Sequence, residues 1–267
     1  GLDFSIDYVK RFNKDFDMSF KGTFTYAHNK VLEYDEPDFQ KYPNISRVGH
    51  SIDQQLLYIA DRLFIDDAEV KRSPKQNIGG WVSGGDIKYL DQPDVNGNYD
   101  NVIDSNDRQY TGMPTTPEIV YGFGPSFRYK KFDFSFFFQG AARVSIMMNG
   151  IHPFGDGETR SVLQFIADDY WSEDNQNIYA KYPRLSKRDN PNNTAWSTYW
   201  QRNGAFLKLK NAEIGFNHKF FRIYLRGSNL LTFSPFKYWD PEMGSGSGLS
   251  YPTQRVFNVG VQFSINK

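Results

Sequence analysis

Cysteine is absent from the 267 residues, which excludes disulfides, thiolate metal sites and thiol catalysis and leaves the redox compartment open. Net formal charge is zero, with Lys+Arg 31 against Asp+Glu 31, so the basic surplus that a phosphate backbone demands is missing and the balance argues against a nucleic-acid partner. Long hydrophobic runs are missing too, and nothing approaches the roughly 18 apolar residues of a spanning helix. The chain opens on Gly1-Leu2-Asp3 and goes straight into alternating residues. It carries no charged n-region or apolar h-region, so an export signal is expected upstream and the chain reads as the C-terminal piece of a longer protein. Catalytic constellations are also wanting. His28, His50, His152 and His218 are dispersed without metal-ligand spacing. Adjacent Asp168 and Asp169 would point about 100° apart on a helix and cannot flank one glycosidic bond. No phosphate loop or nucleophile elbow occurs, and an enzyme is not expected.

What is present is aromatic residues at 17% in a chain whose mean hydropathy is only −0.63. The strand at Arg255–Ile265 shows how both hold: Phe257, Val259, Val261, Phe263 and Ile265 alternate with Val256, Asn258, Gly260, Gln262 and Ser264. Period-two alternation with small or polar residues on the reverse face suits a barrel strand between lipid and a wet lumen. The same pattern recurs at Leu2–Arg11 and Phe16–Tyr26, joined by Asn13-Lys14-Asp15. It returns at Ile119–Tyr129 and Phe132–Gln139, joined by Lys130-Lys131, and at Ala205–Asn217 and Phe221–Leu231, joined by Lys219-Phe220. Gly122 and Gly124 lie inside a strand, where they relieve crowding. Weaker strands are expected at Gln55–Phe64 and Gly80–Asp91, and helices at Asp66–Lys71 and Glu158–Tyr170. The fold class is therefore all-β: one domain of about nine or ten strands spanning residues 1–267, the C-terminal portion of a large transmembrane antiparallel barrel. Tight turns would mark one rim and long extracellular loops the other.

A series of phrases then resembles the SusC/RagA family of outer-membrane TonB-dependent transporters of Bacteroidetes. These are Gly85-Asp86-Ile87-Lys88-Tyr89 with the following Asn/Asp-rich segment to Asp107, Phe137-Phe138-Gln139-Gly140, Asp169-Tyr170-Trp171, Tyr182-Pro183-Arg184-Leu185, Leu207-Lys208-Leu209-Lys210-Asn211, Ser228-Asn229-Leu230-Leu231-Thr232, Trp239-Asp240-Pro241-Glu242 and Tyr251-Pro252-Thr253. The resemblance implies an outer-membrane, multi-pass β-barrel with a plug and N-terminal barrel segment upstream. It also implies a SusD-like surface lipoprotein closing over the mouth, TonB engaging the missing N-terminal part, and import of an oligosaccharide or peptide. The ending Ile265-Asn266-Lys267 departs from the terminal aromatic expected in such a family. Rival readings are a stand-alone small barrel acting as a passive pore or adhesin, and a soluble secreted β-domain binding glycans.

Two candidate sites are expected. Asn96, Asn98, Asp100, Val102, Asp104 and Asp107 occupy the ligand positions of an EF-hand-like loop, with Asn101 at the turning position and Asp94 as a substitute carboxylate. An oxygen-only set favours structural Ca²⁺ or Mg²⁺, and the competing reading is an ion-free hairpin turn. Trp171, Tyr179, Trp196, Tyr199, Trp200 and Trp239 form the substrate-binding expectation, as platforms for sugar rings or apolar peptide side chains, against loop packing or an interfacial belt. Asp156, Glu158 and Arg160 are set beside them as groups able to hydrogen-bond a polar ligand.

Overall fold

The computed structural model describes residues 1–151 and 161–264. In chain order come β1 (Leu2–Arg11), β2 (Phe16–Tyr26), β3 (Gln55–Tyr58), β4 (Ala60–Leu63), α1 (Asp67–Arg72), β5 (Lys75–Gln76), β6 (Ile87–Tyr89), β7 (Val102–Ile103) and β8 (Arg108–Thr111). The long hairpin β9 (Ile119–Tyr129) and β10 (Phe132–Ala142) follows. After it come β11 (Ser145–Met147), α2 (Gln164–Asp168), α3 (Pro191–Thr194), β12 (Gln201–Asn203), β13 (Phe206–Asn217), β14 (Phe221–Phe233) and β15 (Val256–Phe263).

Seven of these strands make one antiparallel sheet in the order β1-β2-β9-β10-β13-β14-β15. Residues opposite each other in an antiparallel pair share a face, so the register shows what each face carries. One row runs Met18, Phe127, Phe134, Ile214, Leu225, Val259 across six strands. A neighbouring row on the other face runs Ser19, Ser126, Ser135, Glu213, Arg226, Asn258. The apolar row is bare at its end, with Val259 and Phe263 each 75% exposed. In water such a surface would drive association; against hydrocarbon it is the favourable face. On the wet face Lys21 pairs with Asp7 at 3.3 Å, Asp17 with Arg128, and Arg222 with both Asp133 and Glu213.

Phe137 is the one ring of its strand set on the polar side, and the glycines explain it. A Cβ on Gly122 would stand 3.0 Å from the Phe137 ring, and one on Gly124 would stand 2.4 Å from the Phe136 carbonyl oxygen. These positions are bare because the neighbouring strand needs the space.

The strands run alternately up and down, so the turns after β1, β9 and β13 fall at one end of the sheet. Asn13 builds the first, its Oδ1 accepting from the amides of Asp15 and Phe16, and Lys130 turns the second at φ 55°. The connections 27–118, 143–205 and 234–255 all fall at the other end. Two expected wall strands belong to these connections instead. Gln55–Phe64 divides into β3 and β4, and Gly80–Asp91 is extended only at β6; they pair as β3–β8 and β4–β6. Three or four residues cannot cross a bilayer that takes about 9–11 per tilted strand. Helix α1 lies where Asp66–Lys71 suggested, whereas the expected Glu158–Tyr170 helix is confined to Gln164–Asp168 among the described residues.

Candidate functional site: a folded cap on one rim

The three long connections pack on one another around a core of their own. Leu57, Leu63, Ile87, Tyr89, Ile103 and Ile146 are its aliphatic and phenolic centre, and Ile166, Trp171, Tyr182, Trp200 and Phe236 close it. None of these side chains comes from the seven-stranded wall. A loop region with a buried core is a rigid body, not a set of independent loops.

Phrases far apart in the sequence meet in that core. Gly85, at φ +81°, presents its bare Cα to the Trp171 indole; a Cβ there would lie 2.2 Å from the ring. Arg184 donates its amide to the Gly85 carbonyl at 2.9 Å and its guanidinium to Asp86 at 2.9 Å. Asp86 is fully buried and also accepts from the Ser83 amide and the Asn193 side chain. The Trp171 amide donates to Tyr182 O and the Tyr182 amide to Asp169 O. Lower down, Lys208 is 1% exposed and donates to Asp240 and Glu242 at 2.5 Å each, clamping the 234–255 connection against the wall. Several of the quoted sequence phrases, those around Gly85, Trp171, Arg184, Lys208 and Asp240, are thus tie points of the cap.

One further set of tie points lies outside the quoted phrases. Asn192 and Asn193 are buried and serve the edge of β6: the Ile87 amide donates to Asn193, and Asn192 donates to Ile87 O. The signal available was Asn190-Pro191, with Asn190 capping α3 through its side chain and proline at the first helical position.

The expected binding aromatics divide. Trp171 and Trp200 are each 5% exposed, and Trp200 Nε1 donates to Asn193 O. Tyr199 hydrogen-bonds Ala180 O, with burial pushing its phenol well above the usual range. Trp239 donates to Gly244 O and packs edge-on to Phe236. Trp171 and Trp200 thus lie within the cap core, and Tyr199 and Trp239 pack partly buried against it. Tyr179 at 74% and Trp196 at 47% exposure keep free faces. Asp156, Glu158, Arg160 and His152 lie outside the described residues.

In the EF-hand-like segment the carboxylates accept from nearby backbone amides. Asp94 accepts from the amides of Asn96 and Asn98, Asp100 from Val102, Asp104 from Asn106, and Asp107 from Gln92 and Asp104. Among the described residues no three Asp, Glu or His side chains gather to hold a metal ion. Asn101 does take the left-handed turn, at φ 60°, and Val102 and Ile103 continue into β7. Asp107 is pushed up to about 6 by burial and by the neighbouring Asp91 and Asp104 charges.

Glu69 is the cap's clearest pH-sensitive strut. Arg62 at 2.5 Å and Lys88 at 2.9 Å both donate to it, as does the Ile65 amide, and the Arg62 bonds above all bring its carboxyl down to about 2. A lowered carboxyl stabilises the fold above its ordinary value and loses that contribution as pH falls through the folded one. Protection factors at β4 and β6, corrected for the intrinsic slowing of amide exchange in acid, are therefore expected to fall as pH drops from about 4.5 towards 2. Glu69→Gln should remove that dependence and cost about 2 kcal/mol at neutral pH; an unchanged pH profile in the variant would discard this assignment.

A wall with one lipid-suited face, one wet face and a folded cap on a single rim defines a segment of an outer-membrane β-barrel. Comparison with known proteins agrees with that class. Two TonB-dependent receptors of Formosa agariphila, P3 and P26, are each 26% identical to the chain, over 290 and 297 aligned residues that cover 98% of it. The chain spans only 28% of the length of either. Among solved structures, the RagAB peptide transporter matches with a TM-score of 0.66 at 18% identity, covering 98% of this chain and 28% of that one. The RagAB peptide importer in its closed-closed state matches with 0.66 at 19%, covering 29% of that chain. No protein-family model matches. The resemblance to SusC/RagA-type TonB-dependent transporters is thus supported along nearly the whole chain, and the chain is a segment of an outer-membrane β-barrel.

Proposed function

We propose that this chain is the C-terminal part of the barrel wall, with most of the outer cap, of an energised importer that carries a large nutrient, oligosaccharide or peptide, across the outer membrane. The observation that carries the reading is the pairing of an open, lipid-suited sheet with a cap holding its own core. A passive small barrel would close on itself, whereas β1 and β15 each have a partner on one side only and need neighbouring strands to satisfy their backbone in lipid. A soluble domain would not leave its longest strands bare on the apolar face. In this reading a SusD-like surface lipoprotein closes over the cap, and TonB acts on a plug encoded upstream. The named relatives are receptors and transporters, not enzymes, which favours transport over catalysis. The test is uptake of labelled oligosaccharide and peptide mixtures by cells carrying the intact gene. Accumulation that disappears with TonB or with the lipoprotein is expected; TonB-independent accumulation overturns the reading.

We also propose that a hard cation rigidifies the 94–107 loop. Its support is local: Asp91 Oδ1 is buried without a hydrogen-bond partner, and its charge acts on the buried Asp107 carboxyl. With only two carboxylates beside a cation there and both Asp107 oxygens already accepting one amide each, weak binding is expected. Calcium titration of the purified transporter should show a millimolar-range site lost in Asp91→Asn, and the absence of any saturable heat would end the proposal.

A further inference from the structure

Where the 143–205 and 234–255 connections meet above β13, a cleft of about 570 Å³ opens between α2 and the stretch from Pro235 to Tyr238. Among the described residues its charged lining is of one sign: Lys181, Arg202 and Lys237, with no acidic side chain. Arg202 is held in place by donating Nη1 to the carbonyls of Tyr199 and Gln201 at 2.7 and 2.9 Å. Lys181 reaches only Asp169, at 3.8 Å, and Lys237 is exposed. The remaining wall is apolar and fixed, Tyr238 standing edge-on to Phe165 and Phe236 at centroid distances of 4.8 and 5.4 Å.

Asp169 partly offsets Lys181 at 3.8 Å, but among the described residues neither Arg202 nor Lys237 has a carboxylate partner, so the cleft keeps a positive surplus that an oxyanion would offset. Which oxyanion is decided by the rest of the lining. Sugar hydroxyls donate as well as accept, so a glycan needs acceptors around it. Here only Asn203 and the Tyr238 hydroxyl supply side-chain acceptors, against three donors and two phenyl rings. A carboxylate beside an apolar side chain matches such a surface.

Building on the import reading, we propose that this cleft is a cargo subsite that holds the free C-terminal carboxylate of a peptide, with the adjacent apolar side chain against Phe165 and Phe236. The experiment uses the full-length transporter purified in detergent, and the variant Lys181→Glu/Lys237→Glu, both changes being at exposed positions. The probes are one apolar-ended peptide as the free acid, the same peptide as its C-terminal amide, and an oligouronate. The parent is expected to bind the acid about tenfold tighter than the amide, the variant to bind both alike. Equal binding of acid and amide by the parent, a preference that survives in the variant, or tighter binding of the oligouronate each overturns the subsite. Uptake by energised cells separates this from the wider reading. If acid and amide enter equally and both need TonB, the subsite falls and import stands; if uptake persists without TonB, the import reading falls.

Discussion

Gly85→Val is expected to cost the cap about 3 kcal/mol and to detach β6 from the connection that carries Trp171 and Arg184. Two physical terms combine. The backbone at Gly85 has φ +81°, which a β-branched residue adopts only under strain. The new Cβ would also enter the Trp171 ring, 2.2 Å away, and Trp171 is buried and cannot swing clear. Gly97→Val separates the terms, since Gly97 has φ +82° with nothing within 4 Å of a Cβ. That variant should lose only the backbone part, about 1 kcal/mol. Amide exchange across β4, β6 and Trp171–Arg184 in the intact transporter measures both. Equal protection in the two variants would show that the contact with Trp171 carries no weight.

Lys208→Met is the second large effect. Lys208 is almost wholly buried and, among the described residues, is the only cation on Asp240, while Glu242 also holds Lys210 at 2.9 Å. Removing one partner of a buried pair costs about 3–5 kcal/mol. Because Asp240 and Glu242 are 18% and 21% exposed at the side chain, water recovers part of that, and about 2–3 kcal/mol is expected. The 234–255 connection should then lift, exposing the glycine- and serine-rich stretch 244–248 to limited proteolysis. Adding Asp240→Asn and Glu242→Gln removes the unpaired charge and should restore most of the protection. A triple variant cleaved as fast as the single one would show that the clamp works by packing alone.

The wall was legible because a β-strand writes its environment into the chain at period two. Phe257, Val259, Val261 and Phe263 are one face of β15 whatever they pack against, and the β9–β10 hairpin is marked by its own turn. Gly122 and Gly124 were readable as space for a neighbour, though not that the neighbour is Phe137. The cap was legible only as words. Gly85-Asp86, Asp169-Tyr170-Trp171 and Tyr182-Pro183-Arg184 mark where it is tied, but nothing in their spacing says that Arg184 holds Asp86 or that Trp171 needs Gly85 bare. The aromatic residues show the same limit, since Trp171 and Trp196 are alike in sequence and opposite in burial.

By itself, then, the sequence determined the all-β class, the lipid and lumen faces, the rim that bears the long connections, and the left-handed turn at Asn101. These follow from local periodicity and backbone sterics, which act over a few residues. Tertiary structure alone decided that three connections fold as one cap, that two of six candidate rings are core and two more pack partly buried against it, that the carboxylates of the 94–107 loop accept from nearby backbone amides, and that Lys181, Arg202 and Lys237 share a cleft. Those outcomes depend on contacts between segments distant in the chain, whose pairing is set by the packing of the whole cap and leaves no periodic trace in any one of them.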